Sequence, residues 1–351
     1  MKKLLFILFT LAICVACKKD PIQPQVQTQF INGIFCLNEG LFQQNNASLS
    51  YYDLDSSKIK HQQFSGVNGR GLGDTANDMI YFEYKGQAYY AIAVDISSQI
   101  EIITAENLES IAQLGLFENN VPQSPRALKF HNGFLYSINF AGTISVISID
   151  DFTVVKTITV GPNPEYAATV NNELFCVNTG GLNFPDYDKT ISVIDLTTQM
   201  VSQTFESDIN CGEIISDQDQ ELYLISRGNY SNVLPKLLRI DPTSYAVMES
   251  FDINIVFMTY DEGFIYYYDA TENGIYRFNT STESIELNQL INCNTIDDFY
   301  GIYICPKTKD IYLVDANGYT SSSTIKCYSQ QGVFRYEFIT NLNTGKLIFT
   351  K

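Results

Sequence analysis

Histidines, paired carboxylates and glycine-rich loops are common raw material for active sites, and this chain supplies each only in fragments. It has two histidines, His61 and His131, which leave little room for a zinc site or a histidine relay, and His131 sits in an HNG turn. Asp297-Asp298 could do acid–base work, but neighbours on a strand point to opposite faces. Gly69-Arg70-Gly71-Leu72-Gly73 would cradle a phosphate only with a helix behind it, and no helix is signalled there. DLDSSK (53–58) and DATEN (269–273) place aspartates as calcium loops do but lack the full ligand spacing, which leaves structural calcium an open alternative. No catalytic residue, metal ligand or resident cofactor is assigned, and the chain reads as a non-enzyme. Its abundant chemistry is that of recognition: tyrosine, phenylalanine and asparagine, with a few arginines.

Composition points to what positions those residues. The 351 residues include 23 Tyr, 23 Phe and no Trp, and only 17% are charged. Such a chain suits pleated surfaces better than helices. A hydrophobic fraction of 45% is enough for a sizeable core. With 39 acids against 22 bases the formal charge is -17, which argues against nucleic acid and anionic lipid surfaces as partners. Carbohydrate binding lacks tryptophan, its commonest platform.

The N-terminus reads as an address. Lys2 and Lys3 precede LLFILFTLAICVA, an apolar run of thirteen residues, Leu4–Ala16. A bilayer span takes roughly 20 residues, so 1–16 is expected to be a signal peptide. Val15-Ala16-Cys17 resembles a bacterial lipobox, with Cys14 where Leu is usual, and Cys17 is the expected lipidation site. Residues 17–29, polar and proline-spaced, read as a flexible tether. Lys18-Lys19-Asp20 resembles surface-export signals of Bacteroidota lipoproteins. The expectation is an outer-membrane protein, lipid-anchored at the cell surface and touching the membrane only through that anchor. Without 1–16 there are 39 acids against 20 bases, a charge of -19. Six cysteines follow Cys17: 36, 176, 211, 293, 305 and 327. Their positions in the repeat favour free, buried thiols, with Cys211–Cys293 the pairing hardest to exclude.

A repeat decides the fold. GIFCLNEG (33–40), GFLYSINF (133–140) and ELFCVNTG (173–180) are short strands ending in Asn and a loop. ASLSYYDLDS (47–56), TISVISIDD (143–151) and TISVIDLTT (190–198) follow them, and then a third strand such as VVKTITVG (154–161) or MVSQTFES (200–207). With an entry strand ahead, each unit has four strands of period 2, spaced by about 46 residues. Seven units fall at about 33–64, 73–114, 124–161, 163–206, 211–252, 255–287 and 298–338. Radial arrangement of such sheets makes an all-β, seven-bladed β-propeller over 30–351. The first unit lacks its entry strand, and KLIFT (346–350) is expected to supply it and close the ring. ENLESIAQL (106–114) has helical propensity but falls where an outer strand belongs.

TISVIDLTTQMVSQTF resembles the YVTN/YncE-type propeller repeat. GIFCLNEGLFQQNNASLSYYDLDSSKI with FSGVNGRGLGDTANDM (64–79) resembles the start of "putative surface-layer" propeller lipoproteins of Bacteroidota. Similar proteins include the BtuG-type propellers, which capture cobalamin for a TonB-dependent transporter. The resemblance implies a surface protein that binds a bulky, amphipathic ligand, a corrinoid such as cobalamin among the candidates, for such a transporter. A surface-interaction or surface-layer-like structural role is the alternative, and a lactonase- or lyase-type enzyme a more distant one.

Propeller function concentrates on the face made by loops entering each innermost strand and loops joining the second and third. Arg70, Arg126, Tyr166, Asn178, Tyr187, Arg227, Tyr230 and Tyr319 fall on those loops and are the expected ligand-binding residues. Rings would cover a ligand's apolar faces and amides would meet its polar rim.

Overall fold

The computed structural model describes residues 30–350. The expected signal peptide, Cys17 and the tether up to residue 29 lie outside the described residues. Seven four-stranded antiparallel sheets form the expected blades, numbered here in chain order. Their innermost strands are Thr344–Phe349 in blade 1, Ala76–Tyr84, Pro125–His131, Pro164–Val170, Cys211–Ser216, Ile255–Asp261 and Phe299–Ile304 in blade 7.

Burial peaks in the middle strands of a blade and falls towards its outer edge. The second strands Gly33–Asn38 and Glu173–Asn178 are buried almost throughout, whereas the outer strand Met200–Glu206 is mostly exposed. A middle strand is packed on both faces because each blade lies between two others, so its β-branched and aromatic side chains all find cover. Phe35 and Leu49 of blade 1 pack with Met79, Tyr90 and Ile92 of blade 2, and Cys36, Tyr52 and Leu347 of blade 1 pack with Tyr312, Val314 and Ile325 of blade 7. The core is therefore a ring of inter-blade seams.

That ring closes as the orphan strand predicts. Thr344–Phe349 pairs antiparallel with Gly33–Asn38, with Leu347 opposite Cys36 and Phe349 opposite Ile34. Thr344 Oγ1 donates to Asn38 Oδ1 at 2.7 Å. Residues 110–115 form the outer strand of blade 2, because pairing with Gln99–Thr104 outweighs their helical propensity. Three features differ from the expected units. The outer strand of blade 6 runs on to Asn292, a two-stranded hairpin pairs Phe117–Glu118 with Val121–Pro122, and a short helix, Gln63–Asn68, joins blades 1 and 2. Gly69, at φ 65°, ends that helix in the left-handed region.

All six described cysteines are free and buried, Cys211 and Cys293 included. The aspartates at the strand ends are turn residues. Asp53 accepts from the backbone N–H groups of Asp55 and Ser56, Asp195 from those of Thr197 and Thr198, and Asp269 from those of Thr271 and Glu272, all within 3.1 Å. In the two calcium-like loops the first carboxylate is thus engaged by the backbone, and no group of three metal-ligating side chains occurs among the described residues.

Candidate functional site: a charged channel with an aromatic rim

All seven innermost strands line a central cavity of about 560 Å³. It is more charged than the loop inventory suggests. Glu39, Asp78, Glu165 and Glu213 face it, and so do Arg126, Lys129, Arg227 and Lys346. In an acidic chain this gathers four bases against four acids in one enclosed space. Two of the acids tie neighbouring blades at corresponding positions. Asp78 Oδ2 in blade 2 accepts from Leu128 N in blade 3 at 2.9 Å, and Glu213 Oε2 in blade 5 accepts from Met258 N in blade 6 at 2.8 Å. Asp78 Oδ1 also meets Lys346 Nζ of the closing strand at 2.9 Å.

Nearer the loop face, Arg227 Nη2 donates to Tyr166 Oη at 2.7 Å, and its Nη1 lies 3.5 Å from Glu165. Gly212 makes room for this arginine, since a Cβ there would lie 2.8 Å from Arg227 Nε. Arg126 pairs with the buried Asp95 at 3.2 Å, and its guanidinium lies 4.6 Å from the centre of the Phe140 ring. Burial raises the Asp95 carboxyl and Arg126 opposes it. Tyr300 Oη donates to Glu39 Oε2 at 3.0 Å. Burial pushes Glu39 up to about 7 although Tyr300 and Arg126 pull it down. Glu213 is pushed to about 7 by the same desolvation, against Met258 N–H, Arg227 and Lys346. The channel is thus an electrostatic site with two carboxyls poised near neutral pH.

A second surface borders it. Phe184, Tyr187 and Tyr230 form a chain of edge-to-face rings with centroids 5.9 and 6.2 Å apart. Phe184 is 69% exposed and Tyr230 72%, with Leu182 and Leu234 equally open beside them. They stand on the long loops 179–189 of blade 4 and 227–235 of blade 5. Tyr319 lies edge-on to Tyr300 at 5.5 Å on the other side of the mouth.

Of the residues singled out from the sequence, Arg126, Tyr166 and Arg227 meet in the channel, Tyr319 packs on a channel tyrosine, and Tyr187 and Tyr230 form the rim. Two are placed elsewhere. Arg70 does not line the channel: its Nη2 holds both Glu101 oxygens at 2.8 and 2.9 Å and Ser110 Oγ at 2.9 Å, pinning the segment after the helix to blade 2. Glu101 is fully buried, so the guanidinium is there to neutralise it. Asn178 has no exposed surface. Its amide donates to Thr190 and Ser192 and accepts from Gly161 N, and Asn38 clips blade 1 to Ser48 and Ser50 in the same way. The recurring Asn is therefore a blade clip.

Sequence reasoning missed Glu39, Asp78, Lys129, Glu213, Tyr300 and Lys346. For Asp78, Lys129, Glu213 and Lys346 the signal was a charge within a largely apolar innermost strand, for which a core reading has no place. Leu182, Phe184 and Leu234 were signalled only by being apolar residues within long loops.

A family model described as a domain of unknown function, DUF5074, matches residues 32–338. The chain belongs to that family. No curated protein matches the sequence. The DUF5074 propeller is similar in fold to a quinonprotein alcohol dehydrogenase-like protein from Bacteroides thetaiotaomicron, at TM-score 0.62 and 13% identity over 92% of this chain and 78% of that one. It is also similar to a chain of hydrazine synthase from Kuenenia stuttgartiensis, at TM-score 0.60 and 18% identity over 74% of this chain and 85% of that one. The WD40 domain of Neurospora crassa Pan2 follows at TM-score 0.56 and 7% identity, over 78% and 81%. At these identities the likeness of the DUF5074 chain to them is one of fold.

Proposed function

We propose that this DUF5074 propeller is a ligand-capture protein whose binding face is the channel mouth and its aromatic rim. The observation that carries the reading is the contiguity of two unlike surfaces. Exposed rings and leucines on loops 179–189 and 227–235 adjoin a charged cavity of about 560 Å³, and Tyr230 stands close enough to act on the charge of Arg227. A bulky amphipathic ligand fits that combination: its apolar face lies on the rim and one polar arm enters the channel. A macrocycle would cover the mouth rather than enter it, and a corrinoid is the first class to test. Lipidation at Cys17 would hold the protein at the outer membrane, facing a TonB-dependent transporter as the recipient.

Isothermal titration with cobalamin, cobinamide and haem tests the ligand. Tyr187→Ala and Tyr230→Ala should each weaken binding by roughly thirtyfold if their rings anchor it, on the scale of about 2 kcal/mol per anchor. Absence of binding to all three compounds would overturn the corrinoid assignment. It would favour the second reading, in which the same exposed Leu182, Phe184 and Leu234 dock a partner protein. The anchor is tested separately: Cys17→Ala should move the protein from the membrane to the soluble fraction, and retention in the membrane would end that part of the proposal.

A further inference from the structure

The channel holds a positive charge that the fold does not use. Asp78 is engaged by Met79 N, Leu128 N and Lys346, and Glu213 by Met258 N. Lys129 faces the same cavity from blade 3, and among the described residues its ammonium makes neither a hydrogen bond nor an ion pair. An ammonium drawn away from bulk water without a counter-ion is costly. Desolvation accordingly holds Lys129 below its ordinary value; nearby Lys346 adds to this and Asp78 opposes it.

We propose that this stretch of the channel binds a single carboxylate, held between the ammonium groups of Lys129 and Lys346. The proposal rests on the reading of the channel face as the binding face and names a charged group its ligand would carry; of the three compounds to be titrated, only haem has carboxylates. Charge counting selects the anion. Asp78 balances one of the two lysines, and Glu213 is partly uncharged near neutral pH, which leaves up to one positive charge over. A monoanion neutralises it; a dianion such as sulfate would leave the site negative, where charge is poorly screened.

The site carries its own pH dependence. Glu213 faces Arg227 and Lys346, with Tyr166 and Tyr303 also within electrostatic reach. As pH rises through about 7, Glu213 and Glu39 both ionise and the surplus positive charge disappears. Any loss of the Lys129 proton acts in the same direction. A carboxylate ligand stays charged throughout, so its binding weakens with rising pH.

The test is a titration of the purified protein with benzoate, acetate and sulfate at constant ionic strength. It is followed by NMR of carbon-labelled lysine side chains, the signals assigned with Lys129→Met and Lys346→Met. Benzoate and acetate should shift the Lys129 signal saturably in the millimolar range, and sulfate should do so far less. Lys129→Met should lose at least about tenfold in benzoate affinity, the scale of one charge-assisted contact, while Lys129→Arg keeps most of it. Wild-type affinity should fall severalfold between about pH 6 and about pH 8.5. Glu213→Gln should bind as well as wild type at the lower pH and lose much of that dependence. An unsaturated response at Lys129, or equal responses to sulfate and carboxylates, would overturn the site. If a bulky ligand binds through Tyr230 while Lys129→Met has no effect, the carboxylate assignment fails and the rim reading stands. If benzoate binds and no bulky ligand does, the reverse holds.

Discussion

Replacing Glu213 by Gln isolates the electrostatic cost of the channel. Burial raises this carboxyl from 4.5 to about 7, and Oε2 takes one backbone N–H, that of Met258. Between those two values the folded protein holds a proton that the unfolded chain has released. This site's contribution to stability therefore falls as pH rises from 4.5 to about 7, and stays at its lower level above that. At about 1.36 kcal/mol per pH unit the shift is worth roughly 3 kcal/mol, and the partial access of water to the channel reduces this to about 1–2 kcal/mol. Gln offers an amide oxygen to Met258 N–H and carries no charge. E213Q should therefore be more stable than wild type by about 1–2 kcal/mol at about pH 8, and level with it at about pH 4.5. Urea unfolding followed by circular dichroism at both pH values measures the difference, and a melting scan should show a gain of about 2–4 °C per kcal/mol. Glu39, also raised to about 7, preserves part of the pH dependence, so the double variant E39Q/E213Q should be flatter still. Equal stabilities at about pH 8, or a gap of the same size at both pH values, would refute the assignment of a buried, costly carboxylate.

Deleting residues 344–351 removes a strand paired at five positions and the buried Leu347; at about 1 kcal/mol per hydrogen bond plus burial the loss should be 5 kcal/mol or more, enough to unfold or aggregate the protein. An unchanged urea midpoint would show that the ring closes without that strand. Gly345→Ala would put a Cβ 2.2 Å from Glu39 Oε1, so it should displace Glu39 from Tyr300 and cost about 1–3 kcal/mol; a structure of the variant with the Glu39–Tyr300 bond intact would contradict this. Arg70→Ala should destabilise by about 3–5 kcal/mol through the uncompensated Glu101 while leaving ligand affinity unchanged in whatever protein remains folded. The described cysteines should resist maleimide until the protein unfolds, since burial pushes thiols such as Cys211, at about 11, away from the reactive thiolate; prompt labelling of the native protein would show that a seam opens.

The blades were legible because a strand with period 2, a turn and a repeat of about 46 residues are local properties, written into consecutive residues. The Asn at the end of the second strands was equally visible, but its meaning was not. Asn178 and Asn38 resemble ligand contacts until their Ser and Thr partners are seen on the next strand. Arg70 illustrates the same gap, since Glu101, 31 positions away, decides its role.

The sequence by itself determined the architecture: four-stranded units, their number, and the orphan strand that had to close the ring, because unpaired strand edges and unburied apolar faces leave a chain few other solutions. It also carried the scarcity of histidine and the acidic balance, which argue against whole classes of chemistry. Only the tertiary structure decided the site. Asp78, Lys129, Glu213 and Lys346 come from four different blades. A charge is defined by what surrounds it, and closing the ring is what brings these four into one poorly screened space, leaves Lys129 without an ion-pair partner among the described residues and moves two carboxyls to neutral pH.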